Sequence, residues 1–406
     1  MKINYRKILW SHWFLYFISI YLFHALSRTA SFDPFLIERV FSLILIVFLV
    51  FLLIWTSFRY HFLLSKRVLL ISAFFFLMFL YSSFIGGFGF APVFFLLYSS
   101  LVIVLISIFT TEYDPSSKAV RCFTAIFFAF HVIAYLSGAD IFFQQGDRFV
   151  GLFSSPTTFA TWVVTLFAVS MGFRPFDHDG AGKSLIILNF ILLAFLVFVS
   201  GTRTNLALVL FLGAYLVVGG VRSRLLRFSI LMSMVPVILL IYPIYSLLNL
   251  YVSGEYVAYR FEGEEDTSFG LRVSLFNAVF SELVDSEISD WLFGHGVEAS
   301  RELVKQIWGF DIFPHNDVLR LVYDFGVVFS AFFFILVSVV ASRNHLSFMI
   351  GVVYIFSFIH NMVFSHYLIS AILVFSMFNS ERFRSEFSGS KAKDFYGKTL
   401  YSKKPY

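Results

Sequence analysis

Apolar runs long enough to cross the hydrocarbon core of a bilayer as helices recur along most of this chain, separated by short clusters of lysine and arginine. Of the 406 residues, 59% are hydrophobic and 14% charged, where a soluble domain carries roughly 25% charged residues. A soluble core of this length could not hide so many apolar side chains, and a bilayer can. At roughly 20 residues per span, the sequence predicts an all-α polytopic integral membrane protein of about twelve transmembrane helices. They fall near 8–26, 39–58, 68–87, 90–111, 120–138, 156–173, 185–200, 204–220, 228–248, 318–341, 346–363 and 366–380. Pro236 and Pro243 predict a kink in the ninth, because each removes a backbone hydrogen bond.

Loop charge gives the orientation. With Lys2, Arg6 and Lys7 in the cytoplasm, the even-numbered turns hold Arg59, Lys66 and Arg67, then Lys118 and Arg121, then Arg222, Arg224 and Arg227. Most of the 30 basic residues then share one side, as cytoplasmic loops require, and both termini lie inside. Residues 1–26 have the basic start and apolar stretch of a signal sequence without a small-residue cleavage site, and read as a retained first helix. The chain divides into nine spans over 1–248, a large periplasmic loop over 249–316 and three spans over 317–380. A basic tail over 381–406 is suited to anionic lipid. Basic residues in short clusters between apolar runs make nucleic acid a poor partner. Cys122 is the only cysteine, so no intramolecular disulfide and no cysteine metal site can form. No internal repeat of the kind that marks many secondary transporters is present.

The large loop carries the polar chemistry. Leu271, Leu275, Phe276, Val279, Phe280 and Leu283 follow helical spacing, which predicts an amphipathic helix lying on the membrane surface. The segment 291–296 reads as a glycine-rich turn and 298–308 as a second short helix. Basic residues left outside are few, among them Arg148, Arg203, Arg272, Arg301, Lys305 and Arg320. Arg301 and Lys305 suit plain surface charge. Arg203 stands in a tight turn between two apolar helices, where two readings hold: snorkelling to the interface, or a ligand contact. Arginine suits phosphate, since its planar donors bind two oxygens at once. His315 precedes a span and can accept a hydroxyl proton, or can serve helix capping or packing. His131 and His360, inside spans, read as hydrogen-bonded helix contacts. The acidic residues 262–266 read as a solvated loop, and the histidines lack the third neighbour a metal needs.

The element Phe313-Pro314-His315-Asn316, with Leu319 and Gly326 following, resembles the signature of the O-antigen ligase and Wzy-type polymerase superfamily. The turn Ser200-Gly201-Thr202-Arg203-Thr204 is similar to its second hallmark, and Arg272 with Leu292-Phe293-Gly294-His295-Gly296 to the arginine and glycine turn of its large loop. Arg148-Phe149-Val150-Gly151-Leu152-Phe153 with Pro156 resembles an earlier loop of those proteins. The resemblance implies a GT-C-like fold in the bacterial inner membrane with a periplasmic active site. It implies an inverting glycosyltransferase that needs neither metal nor cofactor. Its donor would be an undecaprenyl-diphosphate-linked glycan and its acceptor a glycolipid, with membrane lipid around it and a chain-length regulator as a candidate partner. Arg203 and Arg272, with Arg148 as a further candidate, would hold the diphosphate. His315 would deprotonate or orient the acceptor hydroxyl, supported by Asn316 and Gly326. Phe329 stands where ligases often carry a small residue or tyrosine. That departure weakens the ligase assignment slightly, and the reading taken is a polymerase of repeat units, ahead of a ligase to lipid A core and of a flippase or transporter.

Overall fold

In the computed structural model the described residues are 117–309 and 312–360, less 145–147, 154, 173–179, 219–220, 245–246 and 248–266, with isolated positions between 44 and 84 and between 369 and 377. Apart from those isolated positions, the expected spans before 112 and after 365, the acidic stretch 262–266 and the tail lie outside them.

The apolar runs become helices α1 (Ser117–Leu136), α2 (Pro156–Gly172), α3 (Gly180–Val199), α4 (Arg203–Val218) and α5 (Arg224–Leu239). The loop supplies α6 (Thr267–Asp285), α7 (Ile288–Phe293) and α8 (Ala299–Trp308). Then come α9 (Asp317–Ala341), α10 (His345–Phe356) and a 3-10 turn, Ser357–Ile359. Among the described residues the all-α reading has one small exception, an antiparallel ribbon of β1 (Phe143–Gln144) and β2 (Arg148–Phe149). Among the described residues one helix, α9, is long and apolar enough to cross a membrane, and five shorter apolar helices accompany it.

The burial pattern fits lipid rather than water. In α2, Phe159, Trp162, Val163, Phe167 and their neighbours are buried on every face, as are Leu346 to Ile355 of α10. These two helices form the centre of one core cluster. On the helices around them Ile126, Ile133, Phe198, Leu210 and Val217 are each more than half exposed. Leaving such side chains in water forfeits about 25 cal/mol per Å²; against acyl chains nothing is lost.

Three local outcomes differ from the sequence expectation, and each has a physical cause. Pro236 sits inside an uninterrupted α5, and the break instead lies at Leu240, after which residues 241–244 are helical again. Pro243 lacks an N–H and its ring opposes the Leu239 carbonyl four residues back, which places the break just there, as expected of that proline and not of Pro236. Trp291, Leu292 and Phe293 belong to α7, not to a turn. The apolar face of α6 is covered by protein rather than by the membrane surface: Leu275, Phe276, Val279 and Leu283 pack against Tyr242, Leu319 and Tyr323.

At the end of α9 away from His315, Arg227 is buried and donates to the carbonyls of Ser342, Val221, Arg222 and Arg343. A cation on the last carbonyls of a helix offsets its partial negative charge. This ties the start of α5 to the end of α9.

Candidate functional site

The turn between α3 and α4 is built by small residues. Gly201 has φ +65, a conformation glycine adopts without steric cost, and Ser200 Oγ meets Thr202 Oγ1 at 2.9 Å. Arg148, on β2, holds the turn from outside: its Nε donates to the Ser200 carbonyl and its Nη2 to the Gly201 carbonyl, both at 3.2 Å. A Cβ on Gly201 would stand 3.3 Å from Arg148 Nε. Arg203 then opens α4 with its side chain exposed. The next residue, Thr204, meets His360 Nε2 through its Oγ1 at 2.9 Å. His360 follows the 3-10 turn in extended backbone, so the expected span 346–363 breaks there.

Arg272 and His315 are joined through a residue that sequence reading did not single out. After the break at Leu240 the chain is helical again over 241–244, and Tyr242 on this segment is buried with its ring 5.7 Å from Phe276 of α6. Arg272 is one turn before Phe276 and hydrogen-bonds the Tyr242 hydroxyl. That hydroxyl donates to the His315 carbonyl at 2.9 Å. Burial, and then the Arg272 charge, push the His315 imidazole down to about 4. At neutral pH it is uncharged and able to accept a proton. His360 is close enough to interact electrostatically with both Arg272 and His315. The structure therefore brings the Arg203 turn, Arg148, Arg272 and His315 to one end of the bundle.

Asn316 is the N-cap of α9. Its Oδ1 accepts from the N–H groups of Val318 and Leu319 at 3.0 Å, and its Nδ2 donates to the Ile238 carbonyl at 2.8 Å, near the end of α5. One buried side chain thus fixes where α9 starts, beside His315, and where it meets α5.

The first half of α9 is held by the loop helices. Gly326 interrupts α9 with φ 79 and ψ 166, and Gly294 with φ 83 faces it. A Cβ on Gly326 would run into the Leu292 carbonyl and the Phe293 nitrogen; one on Gly294 would run into the Asp324 carbonyl and the Gly326 nitrogen. The two backbones touch, and only glycine permits it. The Asp324 carboxylate accepts from the N–H groups of Glu298 at 3.2 Å and Ser300 at 2.9 Å, capping α8. Arg320 is buried between Asp324 at 3.6 Å and Asp317 at 3.9 Å. Its guanidinium lies 3.9 Å from the centre of the Phe313 ring, and that of Arg301 lies 4.8 Å from it. Phe313, two residues before His315, is thereby fixed. His295 stacks on Tyr323 at 4.1 Å, and its ring nitrogens meet Ser286 Oγ and the Tyr323 carbonyl.

Among the described residues no group of three or more His, Cys, Asp or Glu is arranged to hold a metal ion. Residues 188–334 match the family model Wzy_C, described as O-antigen ligase. That stretch contains Arg203, Tyr242, Arg272, His315, Asn316 and Gly326, and leaves Arg148 and His360 outside. No curated protein and no solved structure matches the chain.

Proposed function

We infer that this chain, which carries over residues 188–334 the Wzy_C domain shared by O-antigen ligases and Wzy polymerases, is a membrane glycosyltransferase. It polymerises undecaprenyl-diphosphate-linked repeat units on the periplasmic face of the bacterial inner membrane. The observation that carries the reading is the connected set Arg272, Tyr242 and His315, with the Arg203 turn bound through Thr204 to His360 beside it.

Arg272 and Arg203 hold the donor diphosphate, each offering two parallel donors to two oxygens. Their permanent charge takes the place that a divalent cation has in other transferases, so the reaction proceeds without metal or cofactor. The acceptor hydroxyl oxygen attacks the anomeric carbon from the face opposite the diphosphate. The bond from that carbon to the diphosphate oxygen breaks, its electron pair leaves with the lipid diphosphate, and the hydroxyl proton passes to His315. An imidazole of pKa about 4 is a weak base in the empty site. A bound diphosphate offsets the Arg272 charge, the smaller of the two causes, and raises that value. Arg148 supports the reaction by holding the turn that presents Arg203.

The architecture that goes with this reading has about twelve spans in a GT-C-like arrangement, both termini cytoplasmic, and the loop 249–316 in the periplasm. A reporter fusion after Asp266 should read periplasmic and one after Arg224 cytoplasmic; the reverse would overturn the topology. The description of the matching family model favours a second reading, transfer of glycan to lipid A core by a ligase. Gene deletion separates them. Loss of a polymerase leaves single repeat units on the final acceptor. Loss of a ligase leaves long polymer on undecaprenyl diphosphate and a bare core, and that outcome would replace the first reading by the second.

A further inference from the structure

We propose that Tyr242 is a positioning residue for this transfer: its hydroxyl bridges the Arg272 guanidinium and the His315 carbonyl, and so sets the diphosphate-binding group and the proton acceptor in one fixed relation. The proposal rests on the glycosyltransferase reading above and adds to it a residue that touches neither donor nor acceptor.

A tyrosine hydroxyl has one proton to give and lone pairs to receive. Here the proton goes to the His315 carbonyl at 2.9 Å, and the oxygen receives from Arg272. The bridge is rigid because the ring cannot swing: Tyr242 is 5% exposed and packs on Phe276, on the same helix as Arg272. It stands on the short helical segment 241–244 that follows the break at Leu240. A two-oxygen guanidinium contact requires a fixed plane, and a group displaced by about 1 Å can lose about a hundredfold in rate.

The same bridge pins a charge. His315 is faced by Arg272 from α6, by Tyr242 from the helical segment 241–244 after α5 and by His360 from beyond α10. On its own element stand Asp317, Arg320 and Asp324, paired with one another, and Arg301 of α8 lies over Phe313. Of these, Arg272 is the charge that acts on the imidazole. Without the hydroxyl, Arg272 is free to move away, and His315 takes up a proton at higher pH.

Tyr242→Phe keeps the ring and its packing and removes the bridge alone. The assay uses purified protein and the lipid-linked glycan that accumulates in cells lacking the gene. Turnover of that glycan by the wild-type protein tests the glycosyltransferase reading by itself; inert wild-type protein would refute that reading, whatever the variants do. Given an active wild type, Tyr242→Phe should lose about tenfold to a hundredfold in kcat/KM, in the range of a hydrogen bond to a charged group. The acid limb of its pH profile should move up toward the ordinary histidine value. Added to Arg272→Lys, the substitution should cost little more, because the bridge is already broken. Near-wild-type activity, a loss equal at every pH and fully additive with Arg272→Lys, or a protein that melts far below wild type would each overturn the proposal. The last would assign the hydroxyl to the fold.

Discussion

Gly326→Ala should disable the protein although it adds one methyl group. The backbone at Gly326, φ 79 and ψ 166, lies in a region essentially reserved for glycine, and holding another residue there costs on the order of 1–3 kcal/mol. The new Cβ would also collide with backbone atoms of Leu292 and Phe293. Backbone cannot rotate out of the way as a side chain can, so α7 must separate from α9. That separation pulls on Gly296, whose N–H bonds the Asp324 carbonyl at 3.0 Å, and on α8, which Asp324 caps. The strain therefore spreads to the support of Phe313 and His315. Gly270→Ala is the control: α6 has open space around that position, and alanine within a helix is worth about 0.5–1 kcal/mol over glycine. Melting of the detergent-solubilised proteins and polymer formation in a deletion strain provide the two readouts. Gly326→Ala should melt earlier and fail to complement, and Gly270→Ala should do neither. Wild-type melting and full complementation by Gly326→Ala would refute the reasoning from backbone contact.

Arg203→Lys and Arg272→Lys should each lose about tenfold to a hundredfold in activity, because lysine offers a point charge where a planar fork is needed; Arg301→Lys, which can keep its ion pair to Glu298, should stay close to wild type in the same assay. Since only neutral His315 accepts a proton, activity should fall toward acid pH, with the kcat/KM limb of the free enzyme near 4 rather than 6.5. The same depressed value means the unfolded chain takes the proton first, so His315 lowers stability as pH falls from about 6.5 toward 4, and its removal should flatten that part of a melting-versus-pH curve. Asn316→Asp keeps an acceptor for the α9 cap but cannot donate to the Ile238 carbonyl, and leaving that group unpaired should cost about 1–3 kcal/mol, read as earlier melting.

The helices from α1 to α10 other than α7 were legible because apolar runs and their polar ends are written locally. Helix capping is one reading of His315, and the structure gives that role to the next residue, Asn316. Periodicity identified the apolar face of α6 but not what covers it, which depends on how α9 and the segment 241–244 after α5 come to lie against it. The six residues of α7 are too few to show a period. Arginine at 148 suits phosphate oxygen and carbonyl oxygen alike, and only the fold reveals that it meets the carbonyls of Ser200 and Gly201. Tyr242 was hidden as a single polar residue inside an apolar run, and His360 reads as a hydrogen-bonded contact without its partner being named. Their partners stand 73 and 156 positions away, so no local pattern records the pairing.

The central claim is that His315 acts on the acceptor hydroxyl at a site that holds a lipid-linked diphosphate. The most direct measurement is turnover of lipid-linked glycan by purified His315→Ala, with donor binding measured on the same preparation and His345→Ala as control. The account predicts that His315→Ala binds donor and loses about 10²–10⁴ in rate, while His345→Ala turns over normally. Near-normal turnover in His315→Ala would contradict it.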